Sequence, residues 1–311
     1  KVRAWTECIW WKVDSETSRW AGLRGLMNYG LSCCVNALLQ SFSATWELVD
    51  LLKGWNPVDK ESVPLYLRKV LLAMQSDQSQ PAPHQDFLRC LDRNYICFHV
   101  QQDADEVFLS ILNLIQQQMS DKALAQEIHS LYKVTVETYL QVPSNLARVF
   151  SYIGILFKVL SSECYIALFD KKKPFKQGFK LISLPPVLCL HLKRFRNSHG
   201  YTRKLHYKVT FPETLNISEI LTAEALSERY VQSDSQYSLC AVIVHSGDAM
   251  FGHYTAYVRH KDQSWYYAND SYVRQVRENE WKNVYTTQED TAYMLLYRRT
   301  PEGKQQEWSS G

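Results

Sequence analysis

The hydrophobic period of this chain changes partway along it, and that change limits the possible folds more than any other feature. From Cys33 to about Tyr132 apolar residues recur at helical spacing. Val35, Leu38, Leu39 and Phe42 share one face, as do Leu48, Leu51 and Leu52, then Leu67, Val70, Leu71 and Met74, then Phe108, Ile111, Leu112 and Ile115. Asp103, Asp105 and Glu106 open the last of these segments, where acid suits the positive end of a helix dipole. From about residue 177 the apolar residues fall in short β-type runs at 179–184, 187–192, 207–211, 237–245, 253–258, 265–268 and 292–297. Pro185-Pro186, Asn197-Ser198-His199-Gly200 and Gly247 punctuate them. Val134, Val136 and Leu140 read as one further strand between the halves. Helices first and strands afterwards predict an α+β fold, a helical lobe against a mostly antiparallel sheet.

Composition narrows the class. At 311 residues, 46% hydrophobic and 22% charged, the chain is globular in character, not disordered. Its eight cysteines are too sparse for a disulfide framework and no pair has CxxC spacing, so free thiols in a reducing compartment are expected. The net charge of +3 is uninformative, but residues 171–208 hold 11 of the 35 Lys and Arg and no acid. Such a strip can meet nucleic acid or an acidic protein. Because it overlaps the apolar alternation of 179–192, it reads as a solvated strand-and-loop face with no nucleic-acid partner. The first twelve residues interrupt their apolar positions with charge, unlike a secretory signal. The apolar tract 149–169 has the length of a membrane span, but Lys158 and Glu163 lie inside it, and no membrane association is expected.

Three segments could carry chemistry. In Gly30-Leu31-Ser32-Cys33-Cys34-Val35-Asn36, turn formers precede a helical pattern and put Cys33 at or near a helix N-terminus, where unpaired N–H groups favour a thiolate. Cys34 would point about 100° away around the helix. A buried, inert thiol is the competing reading for each. Gly252-His253-Tyr254 puts a histidine at the start of a strand after a loop containing Gly247, a firm support for a general base. Trp265-Tyr266-Tyr267-Ala268-Asn269-Asp270-Ser271 ends a neighbouring strand with two side chains able to orient that histidine. The order Cys, His, Asn or Asp is that of a cysteine-protease triad.

These segments also carry a resemblance. Gly25-Leu26-Met27-Asn28-Tyr29-Gly30 leading into Cys33, with Asn36, Leu39 and Gln40 after it, resembles the cysteine box of the ubiquitin-specific proteases. Gln101-Gln102-Asp103-Ala104-Asp105-Glu106 resembles that family's glutamine-rich helix start. The stretch from Leu184-Pro185-Pro186 to His191-Leu192-Lys193-Arg194-Phe195 resembles the opening strand of its palm. Residues 237–247 with Gly252-His253-Tyr254 resemble the histidine box, and 268–271 and 292–297 the closing strands. The matches run from about 22 to 299 in the family's order.

The resemblance implies a papain-like cysteine protease shaped as a hand, with a helical thumb (about 22–131), β fingers (about 132–182) and a β palm (about 183–299), flanked by an N-terminal segment 1–21 and a tail 300–311. It implies hydrolysis after the terminal Gly-Gly of ubiquitin or a ubiquitin-like modifier attached to other proteins. Cys33 would be the nucleophile and His253 the base, Asn269 would orient His253 with Asp270 as the second candidate, and Asn28 would help stabilise the oxyanion. Gly252 and Gly247 would leave room for a tail without side chains, turn geometry being the competing reading. Asp103 and Glu106, with Gln102 beside them, would meet a tail arginine, whereas Asp105 would point elsewhere on the helix. The resemblance also implies a cytoplasmic, partly nuclear enzyme.

Departures refine this. Leu31 and Ser32 stand where most members have Asn and Thr, and Cys34 where Tyr is commonest. The double cysteine and short chain resemble the branch that removes the interferon-induced ubiquitin-like modifier. Most members also carry two CxxC pairs in the fingers for zinc. Cys164 and Cys189 lack partners at ligand spacing, so no metal or cofactor is expected. The region 142–169 matches no family pattern. It reads either as a finger that lost its metal and packs with apolar side chains or as the product of a mis-assembled gene model that has replaced the finger exons. The rival functional reading is a catalytically silent scaffold of the same fold that docks signalling partners.

Overall fold

The helical period resolves into α1 (Cys33–Ala44), α2 (Trp46–Gly54), α3 (Val63–Met74), α4 (Gln85–Arg93), α5 (Ala104–Gln118) and α6 (Lys122–Ser130). The computed structural model describes residues 23–300 apart from 59, 143–144, 155–161, 165–174, 199, 222, 231–234, 278 and 286–288. The segments 1–21 and 301–311 lie outside the described residues. Polar caps set several helix starts. Ser62 accepts from the Leu65 N–H ahead of Pro64, Asp103 from the Asp105 N–H and Asp121 from the Leu124 N–H. The inward faces, including Leu38, Phe42, Leu67, Leu71, Phe87, Phe108 and Ile111, form one core. Each such side chain contributes about 1.5–3 kcal/mol by leaving water. Phe42 and Phe108 stack at 5.3 Å, and Tyr132 meets both edge-on.

The strands form a four-stranded and a larger sheet. β1 (Val134–Val142), β2 (Asn145–Gly154), β3 (Ser162–Cys164) and β4 (Phe175–Ser183) make the first, antiparallel in the order β2-β1-β4-β3. Residues 149–154 of the apolar tract are thus strand; its positions 155–161 and 165–169 lie outside the described residues. Among the described residues no helix is long and apolar enough to cross a membrane. β5 (Val187–His191) and β6 (Phe195–Ser198) follow, and β6 pairs with β7 (Tyr201–Lys204) as a hairpin around the turn that the sequence marks at 197–200.

β8 (Thr214–Asn216), β9 (Gln236–Gly247), β10 (Gly252–Arg259), β11 (Trp265–Asn269), β12 (Tyr272–Val276) and β13 (Thr291–Arg299) complete the larger sheet. Its order is β12-β11-β10-β9-β13-β5, with β8 also against β9. β9 is buried on both faces: Ala241 and Ile243 join the helical core, while Val242 and Val244 join a second core with Trp265, Trp281 and Leu295. That is why it reads as a continuous apolar run instead of an alternation. α1 lies across β10 and β9. Arg298 of β13 ties the helices down, stacked 3.8 Å over Trp46, paired with Glu47 at 3.0 Å and bonded to the Ala44 carbonyl.

Two expectations need correction. Residues 207–211 form no strand. Their backbone is held by side chains: Arg194 donates to the Tyr207 carbonyl, and the Tyr285 hydroxyl exchanges bonds with the Val209 N–H and C=O. Nor is the basic segment wholly a solvated face. Arg194 is 2% and Lys204 3% exposed, each with its charge turned onto backbone carbonyls.

Candidate active site

Cys33 is the first residue of α1 and is buried. The preceding Ser32 makes no side-chain cap; its hydroxyl accepts from the Tyr29 N–H, and its own N–H donates to Asn28 Oδ1 at 3.2 Å. The turn is bent by Gly30 in a left-handed conformation, φ +74°. First-turn N–H groups of a helix have no partner within it, so this start presents donors and the positive dipole end beside the sulfur.

His253 is the second residue of β10 and half-buried. The pairing of β10 with β11 carries Asn269, the last residue of β11, alongside it: His253 Nε2 and Asn269 Oδ1 lie 2.8 Å apart. A carboxamide oxygen only accepts, so Nε2 carries the hydrogen and Nδ1 is left to meet the thiol. Burial opposes protonation of this ring. The hydrogen bond and charge of Cys33, with help from Asn269 and Asp270, outweigh it and push the imidazole up to about 9.

Asp270 does a different job from its neighbour. Its Oδ2 is 4.0 Å from His253 Nε2, too far for a hydrogen bond. It accepts instead from two amides, Asn28 Nδ2 at 2.8 Å and Asn36 Nδ2 at 2.7 Å, and its main-chain carbonyl accepts from Leu26 N–H at 2.8 Å. Asp270 therefore ties the loop before α1, α1 itself and the end of β11 together, from a left-handed backbone conformation with φ +51°. Asn36, 2% exposed, also donates to the Leu26 and Met27 carbonyls. An amide nitrogen carries two hydrogens, so with one given to Asp270 the other on Asn28 remains for an oxyanion.

The acidic helix start lies on the same side. Asp103 is the cap of α5, accepting from the Asp105 N–H at 2.9 Å, and Glu106 is exposed in the first turn. Both line a pocket of about 220 Å³ with Gln101, Gln102, Tyr95 and Val107. Gln101 joins that pocket to β10, donating to the Gly252 carbonyl at 2.8 Å. Gln102, the glutamine expected beside the acids, lines the pocket, but the bond to β10 belongs to its neighbour Gln101. Asp105 is no outward bystander: it faces His191 of β5, Oδ2 to Nδ1 at 2.9 Å, and so joins α5 to the sheet.

Gly247 and Gly252 face each other across the β9–β10 pair. A Cβ on Gly252 would sit 2.1 Å from the ring of His245, and one on Gly247, at φ +83°, would meet the Phe251 carbonyl at 2.6 Å. The crowding comes from the protein's own β9 side chain at Gly252 and from its own turn at Gly247. Asn36, Gln101, His191 and Lys204 are the residues that sequence reasoning left without a role. Asn36 and Gln101 stood inside the quoted motifs, but their partners lie on distant strands. For zinc, the sequence lacks the CxxC donors of a finger site, Cys189 is buried in the core, and no group of metal-ligating side chains occurs among the described residues.

Comparison with known proteins shows the family. The family pattern described as "Ubiquitin carboxyl-terminal hydrolase" matches residues 24–297. The chain is similar to Ubl carboxyl-terminal hydrolase 18 of Mus musculus, 32% identical over 90% of this chain and 86% of that protein. It is also similar to Ubl carboxyl-terminal hydrolase 18 of Homo sapiens, 30% identical over 89% of this chain and 85% of that one. In fold it is similar to a chain of the SAGA Ubp8/Sgf11/Sus1/Sgf73 DUB module bound to ubiquitin aldehyde. There the TM-score is 0.71 at 20% identity, over 92% of this chain and 71% of that chain. With the α+β hand fold in place and the family pattern spanning helices and sheets alike, the chain belongs to the ubiquitin carboxyl-terminal hydrolase family and is a cysteine hydrolase.

Proposed function

We propose that this chain is a thiol-dependent isopeptidase that cleaves after the C-terminal Gly-Gly of a ubiquitin-like modifier and so releases it from conjugated proteins in the cytoplasm and nucleus. The interferon-induced modifier is the preferred substrate, in keeping with the double cysteine and the similarity to Ubl carboxyl-terminal hydrolase 18. The observation that carries the reading is the junction of α1, β10 and β11, where Cys33, His253 and Asn269 meet and Asp270 holds Asn28 beside them.

The chemistry follows from that junction. His253 Nδ1 takes the Cys33 proton, and the sulfur attacks the carbonyl carbon of the terminal glycine. The oxyanion receives the second Asn28 N–H and the Cys33 main-chain N–H, donors already in place before charge develops. The imidazolium then protonates the leaving lysine amine, and the C–N bond breaks to leave a thioester on Cys33. Water, deprotonated by His253, attacks the thioester and frees the carboxylate and the thiol. Asp103, Glu106 and Gln102 take the arginine-bearing part of the tail at the pocket, and Gly247 and Gly252 border its glycines.

A panel of ubiquitin-like probes bearing C-terminal electrophiles tests this. The expected result is covalent labelling of the wild-type protein, strongest with the interferon-induced modifier. A folded wild-type protein that no probe labels would leave the silent scaffold as the better reading.

A further inference from the structure

Lys204 lies outside the site described above, yet it ends on the backbone that delivers the catalytic histidine. It closes β7, in the basic segment whose charges the function does not use, and is 3% exposed. Its Nζ donates to the carbonyls of His245 at 2.8 Å, Gly247 at 2.8 Å and Glu289. Three acceptors match the three hydrogens of an ammonium.

The position of those carbonyls is what matters. β9 is paired with β13 only as far as His245, opposite Thr291; beyond it β9 continues to Gly247 with β10 alone. Gly247 lies beyond that pairing, and the His245 carbonyl at its edge also accepts from the Thr291 hydroxyl at 3.2 Å; Lys204 donates to both carbonyls. Across the β9–β10 ladder Tyr254 lies opposite His245, His253 opposite Ser246 and Gly252 opposite Gly247. The two carbonyls of β9 that Lys204 holds therefore flank the residue that faces His253. A second route runs through the His245 side chain, whose ring lies beneath Gly252, leaving no room there for a Cβ. That ring is wedged among Phe195, Tyr254 and Tyr293 and is held neutral, its pKa pushed down to about 3 by burial and then by the charges of Lys204, His253 and His206.

We propose that Lys204 is a positioning residue for the hydrolysis: by holding the His245 and Gly247 carbonyls it fixes the β9–β10 turn, and through it the place of Gly252 and His253 relative to Cys33. This rests on the thiol chemistry proposed above but not on the choice of modifier. Burial pulls the Lys204 pKa down to about 8. Asp290, Asp248 and Glu289 act against that shift, and Arg194 acts with it, so the ammonium is charged at pH 7.

The test is alkylation of Cys33 by iodoacetamide, followed on the Cys33 peptide by mass spectrometry from pH 5 to 9 in the full chain. This reagent needs no modifier recognition, so the result stands whichever way the probe panel falls. Lys204→Met keeps the length of the side chain and removes its donors. The expected result is alkylation at pH 7 slowed about tenfold or more relative to wild type, with its pH profile displaced, while circular dichroism stays that of the folded protein. A lysine that only stabilised the fold would lower the melting temperature and leave the pH profile of Cys33 unchanged, and that outcome overturns the proposal. If Lys204→Met does not fold, Lys204→Arg gives the same reading, because a guanidinium cannot place its donors on all three carbonyls. Alkylation slowed threefold or more in folded Lys204→Arg supports the proposal, and a wild-type rate and profile overturn it.

Discussion

The junction of α1 with β10 and β11, and the basic segment that runs through β6 and β7, both bury polar groups, but in opposite ways. At the junction, neutral amides from two segments, the exposed Asn28 ahead of α1 and the buried Asn36 within it, converge on the Asp270 carboxylate, and the Leu26 N–H donates to its main-chain carbonyl. In the basic segment, cations converge on backbone carbonyls: Arg194 on Ala292, Leu205 and Tyr207, Lys204 on His245, Gly247 and Glu289. The junction joins separate elements around Cys33, the proposed nucleophile. The basic segment finishes a sheet where its strands run out of partners. A buried polar group needs its hydrogen bonds in either place, but only at the junction does the partner also touch the chemistry. Substitutions at the junction should therefore cost rate first, and substitutions at Arg194 should cost stability first.

The largest expected effect is at the nucleophile. Cys33→Ala should abolish labelling by a Gly-Gly-tailed electrophilic probe, whereas Cys34→Ala should retain most of it. Cys34 is buried, and burial, then the neighbouring Cys33 and Asp103, hold its thiol well above the usual range, so it stays protonated. Labelling lost from Cys34→Ala and kept by Cys33→Ala would reverse the assignment.

Next come the adjacent orienters, which the junction separates into two jobs. Asn269→Ala and Asp270→Ala should each lower kcat by roughly a hundredfold to a thousandfold, the scale of losing one oxyanion or orienting contact. Their pH profiles should differ. The His253 imidazolium persists up to about 9 in the folded enzyme, so activity falls as pH rises past that point. The stabilisation from its partners is complete below its ordinary value of about 6.5 and is lost as pH rises through about 9. Asn269→Ala, which removes a direct contact with the ring, should bring the alkaline limb down. Asp270→Ala should lower kcat with a smaller movement of that limb, because its charge acts on the ring only from 4.0 Å while its hydrogen bonds serve Asn28 and Asn36. Equal shifts of the limb in both variants would merge the two roles.

Arg194→Met should follow, costing about 3 kcal/mol or more of stability because several buried acceptors lose their donor, each worth about 1–3 kcal/mol. Denaturant unfolding measures it. A loss of kcat with unchanged stability would show that the basic segment and the junction are less separate than the hydrogen bonds suggest.

This contrast also explains what could be read from the sequence. Cys33, His253 and the pair Asn269-Asp270 could be singled out because each sits in a local pattern whose spacing reports its own element: a turn before a helix, a glycine before a strand, the end of an aromatic strand; the preference for Asn269 over Asp270 came from the family resemblance. Asn36 stood in plain view in the cysteine box, but its partner is 234 residues away and only the fold brings them together. Burial of Arg194 and Lys204 was hidden for a different reason. Charge normally marks a solvated face, and the carbonyls that draw these two side chains inward are backbone groups with no signature in sequence. The expected strand at 207–211 failed on the same ground, since side chains of Arg194 and Tyr285 took the hydrogen bonds that a ladder would have made.

The smallest predicted effect lies at the edge of the junction, where α5 begins. Asp103 and Glu106 line one pocket, and Gln101 ties its wall to the Gly252 carbonyl beside His253. Charge-assisted bonds to an arginine are worth about 1.5–3 kcal/mol, and partial exposure lowers that value. Neutralising both residues with Asp103→Asn and Glu106→Gln should raise KM for a modifier substrate about tenfold and leave kcat nearly unchanged. Asparagine remains a good helix cap, so Asp103→Asn should not unwind α5. Asp105 cannot serve as the control, since its contact with His191 joins α5 to β5 and its loss would disturb the cleft. Asp86 can, being an exposed first-turn acid of α4 paired with Arg89 on its own helix at 3.1 Å. Asp86→Asn should leave KM within about twofold of wild type, because a surface pair of this kind contributes little. If the tail acts through these carboxylates, removing the tail arginine from the substrate should erase most of the difference between the wild type and the double variant. A tenfold difference that survives on the arginine-less tail would mean that the two acids shape the pocket without touching the modifier.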